Sequence, residues 1–133
     1  MTDTLQTYTV LSAAATTGAG KPIYVGDKRH AVFTFATDGG ADAALTVKFQ
    51  GSTQDDPPTF GSAQSVTNMW DYVQVKDLED GSTIDGDTGI AVATADDYRQ
   101  VEVNTNHLKW VTANVTARTE GEVTVTCSVS ENN

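Results

Sequence analysis

Few side chains here are capable of chemistry. The 133 residues hold two histidines, His30 and His107, and one cysteine, Cys127. His30 follows Lys28 and Arg29, and His107 ends the turn-like Thr105-Asn106-His107. Neither has a second histidine at i+2 or i+4 or a cysteine nearby, so metal-ligand spacing is missing and both read as surface or turn residues. No Gly-x-Ser-x-Gly elbow occurs, and Cys127 sits at an apolar position of an alternating segment, where a small buried role is expected. A lone cysteine also excludes an intrachain disulfide framework and any CxxC site. The expectation is a non-enzymatic protein without a cofactor.

The carboxylates Asp77, Glu79, Asp80, Asp85 and Asp87 crowd two Asp-Gly turns, and oxygen ligands in flexible loops are what Ca²⁺ takes. Asp85 and Asp87 are the candidate ligands. Against the EF-hand pattern, with Asp85 as position one, Asp87 falls at three and Asp96 at twelve, but Ile90 holds the position that needs Gly. The pattern fails, and solvated turn carboxylates are the simpler reading. Trp70, Tyr72 and Trp110 are the residue types of a sugar-stacking platform, although aromatics in small β domains more often cap cores or fill interfaces. Trp110 has outward parity on its strand, so an oligomer interface is its natural burial. Phe60, Trp70 and Tyr72 join it as interface candidates.

Strands must position these residues. Thr and Val abound, and branching at Cβ suits a pleated, half-buried surface. In Glu122–Val129 the odd positions are apolar and the even ones polar, a period of two. Lys109–Ala117 alternates likewise, with Val111, Ala113, Val115 and Ala117 expected inside. Arg118-Thr119-Glu120-Gly121 between them has the length and glycine of a hairpin connection. Further strands are expected at Gln6–Leu11, Ile23–Val25, Ala31–Ala36, Ala44–Gln50, Tyr72–Leu78, Ile90–Ala93 and Tyr98–Asn104. Asp38-Gly39-Gly40, Asp80-Gly81 and Asp85-Gly86 punctuate them as turns. Ser12–Thr17 reads as a loop or a single turn. Eight or nine short strands imply one all-β domain over residues 1–133, an antiparallel β-sandwich, jelly-roll-like, with one long loop at 51–69 and an N-terminal arm at 1–6. That loop is long enough to be functional or ordered by a partner, with Phe60, Val66, Met69 and Trp70 available to pin it across the sandwich.

Composition narrows the partners. Eight Lys+Arg against eighteen Asp+Glu give a formal net charge of −10. Clustered cations for phosphate are lacking, which excludes an ordinary nucleic-acid binder and argues against attraction to anionic lipid. No apolar run approaches the length of a spanning helix, and the N-terminus shows no secretory signal, so a cytosolic translation product is expected. Hydrophobic residues are only 38%, which implies a thin core that gains stability by association.

A short acidic Thr/Val-rich β chain of this kind resembles the decoration or cement proteins on the capsids of tailed bacteriophages. The segments that carry the resemblance are Leu11–Pro22, Phe49–Pro57 and Glu102–Val111. It implies a virion protein on the capsid exterior, with the major capsid protein and further copies of itself (a homodimer or homotrimer) as partners. It transfers no site residues, because the class has no shared motif. A tail, neck or fibre component and a carbohydrate-binding module are the alternatives.

Overall fold

The computed structural model describes residues 5–39, 43–93 and 96–131. These form twelve strands: β1 (Leu5–Ala14), β2 (Gly18–Ala19), β3 (Ile23–Tyr24), β4 (His30–Asp38), β5 (Ala44–Ser52), β6 (Asp71–Tyr72), β7 (Val75–Asp77), β8 (Thr83–Ile84), β9 (Ile90–Ala93), β10 (Tyr98–Val103), β11 (Trp110–Glu120) and β12 (Glu122–Ser130). The first sheet has the order β1-β12-β4-β10-β7-β8. The second runs β2-β11-β5-β6, with β3 also on β11 and β9 also on β5. Every pairing is antiparallel. The architecture is an all-β antiparallel sandwich, as the alternating pattern implies.

The period-two segments bury one side of each strand. Phe33 and Phe35 of β4, Val123, Val125, Cys127 and Val129 of β12, and Val101 and Val103 of β10 form the inner face of the first sheet. Leu45, Val47 and Phe49 of β5 and Val111, Ala113 and Val115 of β11 oppose them from the second. Phe33 and Phe49 meet between the sheets with ring centroids 4.8 Å apart. The slab is thin because it is built from Val and Ala, with phenylalanines spanning only its centre.

Several expectations need correction. The segment at Arg118–Gly121 is no hairpin: β11 belongs to the second sheet and β12 to the first, so the chain crosses the sandwich there. Gly121 takes φ +91°, and Arg118 Nε donates to its carbonyl at 2.9 Å, so the turn redirects the chain instead of pairing its arms. Ala117 is exposed because the β11–β5 register shifts between Val115 and Ala117, which breaks the alternation. The single strand expected over Tyr72–Leu78 divides between the sheets, β6 pairing with β5 and β7 with β10. Ser12–Ala14 continues β1 through two irregularities, with Ala13 at φ +46°. Of the expected arm, residues 1–4 lie outside the described residues, while Leu5 and Gln6 pair with Ser130 and Val129. Gly40 of the expected Asp38-Gly39-Gly40 turn also lies outside them.

Candidate functional site

The segment after β5 is organised by its own side chains. It folds as a strap, residues 53–70, over the outer face of β5 and β11. Gln50, Ser52, Thr112 and Asn114 have outward parity, yet all are buried. Phe60 is the apolar plug of the strap, 3% exposed. Beneath it Gln50 Nε2 donates to the Phe60 carbonyl at 3.1 Å, and Asn114 Nδ2 donates to Gln50 Oε1 at 3.2 Å. A polar face that a strand pattern assigns to water is therefore closed by a loop and satisfied internally.

Asn68 clasps the strap. Its Oδ1 accepts from the Thr59 N–H at 2.7 Å, and its Nδ2 donates to the carbonyls of Thr59 and Ala63, each at 3.0 Å. Gln54 Oε1 accepts from the Met69 N–H at 3.0 Å, and Ser52 Oγ donates to the Met69 carbonyl. At the far side Asp55 pairs with Lys109. The Lys109 hydrogen bond, reinforced by its charge, holds the Asp55 carboxyl below its usual range, and the Lys109 ammonium is raised in turn. The loop is thus held by hydrogen bonds and an ion pair within the chain. Of the expected pins, Val66 points away, 91% exposed at the tip, and Met69 is exposed as well; Phe60 is what holds the strap down.

The aromatic candidates sit around this strap in two edge-to-face pairs. Trp70 meets Tyr72 at 5.1 Å and Trp110 meets Tyr24 at 5.2 Å between ring centroids. Each indole N–H is spent on the strap: Trp70 Nε1 donates to the Ser62 carbonyl at 2.9 Å and Trp110 Nε1 to that of Asp55 at 3.1 Å. Lys48 lies over the Tyr72 ring, its Nζ 4.9 Å from the centroid. The structure thus brings Phe60, Trp70, Tyr72 and Trp110 to one side of the second sheet. The strap they hold in place is what that side presents outward, with Val66 and Met69 exposed on it.

The other candidates lie apart. Asp85 Oδ2 caps its own turn, accepting from the Asp87 N–H at 3.1 Å and from Thr88 Oγ1 at 3.4 Å. Among the described residues no group of three or more His, Cys, Asp or Glu is placed to hold a metal ion. His30 lies with Nδ1 3.8 Å from Glu102, and His107 takes φ +69° in its turn. Cys127 is buried in the core, and burial pushes its thiol pKa up to about 12. Among the described residues no helix is long and apolar enough to cross a membrane.

Sequence reasoning missed Asn68, Gln50 and Asn114, three amides in unremarkable contexts. It also missed Arg99, whose Nε donates to Asp97 at 2.8 Å and whose other arm reaches Asp77 at 3.4 Å. The one legible signal for the amides was a run of polar residues too long for a simple connection.

The fold has solved counterparts. The SPBc2 prophage-derived protein YomS superposes with a TM-score of 0.66 over 98% of this chain and 96% of its own, at 14% identity. The PBSX exported protein XepA gives 0.70 over 98% of this chain at the same 14% identity. This chain spans only 39% of XepA. No family model matches the sequence, and no curated protein sequence does either. At such identity the likeness establishes a shared fold.

Proposed function

We propose that the protein is a non-enzymatic structural component of a tailed-phage particle, and that it binds the outer surface of the capsid and stabilises the head. The observation that carries the phage reading is the likeness of nearly the whole fold to a prophage-derived protein. The capsid reading adds the form of the strap. A self-ordered loop with Val66 exposed at its tip and Met69 exposed at its base offers a preformed contact, so docking costs little ordering entropy. β1 ends the first sheet, and its outer edge over residues 5–9 is placed for strand addition across a lattice. A net charge of −10 keeps free copies soluble before assembly and away from the packaged genome.

Heads of the encoding phage prepared without this protein provide the test. Added protein should bind them stoichiometrically and raise their melting temperature, and Val66→Asp should weaken that binding. Failure to bind mature heads overturns the capsid placement. Density for the chain at the tail or neck in a whole-particle reconstruction moves it to that site.

A further inference from the structure

Two cavities of opposite character adjoin the β7–β10 pair. One, of about 510 Å³, lies toward Tyr98 and is lined by Asp77, Glu79, Asp80 and Asp97 with Arg99 as its one cation. The other, of about 390 Å³, lies toward Val103 and is lined by Arg29 and Lys76 with Glu102 as its one carboxylate. The strand register fixes their order: Val101 pairs with Asp77 and Val103 with Val75, so the cavities follow one another along the same two strands. Tyr98 and Glu102, at their two ends, are about 13 Å apart along β10.

The cations of the basic cavity are distinctive among the described residues. Lys21 and Lys48 lie over the Tyr8 and Tyr72 rings, and Lys28 is within ion-pair reach of Asp27 and Glu131. Arg99 and Lys109 hold carboxylates, and Arg118 donates to the Gly121 carbonyl. Arg29 and Lys76 alone have no carboxylate, ring or carbonyl partner, and both line this one cavity. In the acidic cavity Arg99 forms its ion pairs with Asp97 and Asp77, so Glu79 and Asp80 have no ion pair of their own among the described residues. Leu78 and Tyr98 stand exposed at that end, 45% and 71%.

We infer that the exposed face of the β7–β10 pair, on the first sheet, is a self-association surface for a second copy of this chain, related by a two-fold axis near Gln100. Such an axis turns the strand pair end for end and sets the acidic cavity of each copy against Arg29 and Lys76 of the other. Leu78 and Tyr98 then lose their exposure at the two ends of the contact, and Tyr98 gains a guanidinium over its ring. Between molecules that each carry −10, most approaches are repulsive. A face holding both signs in this order is self-complementary. The inference does not rest on the capsid reading, since the contact concerns free copies in solution.

Sedimentation equilibrium of the full chain tests it. At low ionic strength a reversible dimer is expected, weakening as NaCl rises to roughly 0.5 M. Arg29→Glu with Lys76→Glu, or Glu79→Lys with Asp80→Lys, should each weaken the dimer by about tenfold or more. All four side chains are exposed, so the reversals spare the core. Mixing the two variants should restore a one-to-one dimer, because both contacts then join opposite charges. A wild-type chain that stays monomeric at high micromolar concentration overturns the inference. So does a dimer indifferent to both reversals, or a mixture that fails to associate. A monomer that still binds heads leaves the proposed function standing.

Discussion

Asn114 donates its side-chain amide to Gln50 Oε1, and Gln50 passes the connection on to the Phe60 carbonyl. This relay joins β11, β5 and the strap through two buried amides. Both lie on the face of the second sheet that its strand pattern gives to solvent. Gln50 is fully buried, so each of its polar atoms depends on that relay.

Replacing Gln50 with Leu is therefore destabilising despite the similar volume. It orphans the Asn114 amide and the Phe60 carbonyl together, at a cost of about 2–4 kcal/mol. Thermal melting should show a clear drop, and thermolysin should cut the strap near Phe60 or Val66 before the sandwich unfolds. An unchanged melting point would mean that water reaches these groups and that the strap is only loosely seated.

How far this was legible in the sequence depends on distance along the chain. The β4, β5, β10 and β12 strands announce themselves, because burial of one face writes a period of two into adjacent residues. The crossing at Gly121 does not. A glycine after a three-residue polar stretch suits a hairpin and a change of sheet equally, and the choice is made by pairings of β12 with β1 and β4, over a hundred residues away for Leu5. The strap is legible as a long polar interruption around Phe60. Its clasp at Asn68 is not, since an amide that holds a loop looks like any loop amide until its partners are known.

The Asp55–Lys109 pair fastens the strap near Trp110, whose indole donates to the Asp55 carbonyl. The Asp55 pKa is lowered in the folded state, so its contribution is present above the unfolded value and is lost as pH falls through the folded one. The Lys109 pKa is raised, so its contribution is full below the unfolded value and is lost as pH rises through the folded one. The Trp110 indole resonance should hold steady through neutral pH. It should move below the ordinary aspartate range near about 4 and again above the ordinary lysine range near about 10.4. Asp55→Asn should abolish the acid inflection; its persistence would assign that step to another carboxylate.

Cys127 faces the core from β12 with its thiol pKa pushed up to about 12 by burial. Near pH 8 only about one molecule in ten thousand then holds a native thiolate, so labelling requires opening of the β1–β12–β4 layer. A thiol reagent should react slowly with the folded protein and at once in denaturant. The native rate should increase in Gln50→Leu only to the extent that global stability falls. Rapid labelling without denaturant would show that β1 frays from β12 independently.

Two glycines in the left-handed region separate backbone strain from collision. Gly81 has φ +77°, and a Cβ there would meet nothing nearer than Lys76 Cε at 3.9 Å. Gly89 has φ +67°, but a Cβ there would lie 2.5 Å from the Val47 carbonyl oxygen, in the backbone of β5. Gly81→Ala should cost about 1–2 kcal/mol, the conformational penalty alone. Gly89→Ala carries the same penalty and must also push the Asp85–Gly89 turn away from β5, where β9 begins its pairing at Val47 and Ile90. Its loss should exceed that of Gly81→Ala by about 2 kcal/mol or more, read as the difference between the two denaturation midpoints at equal m-value. Equal losses would mean that the turn shifts freely and that β9 is not held at this register.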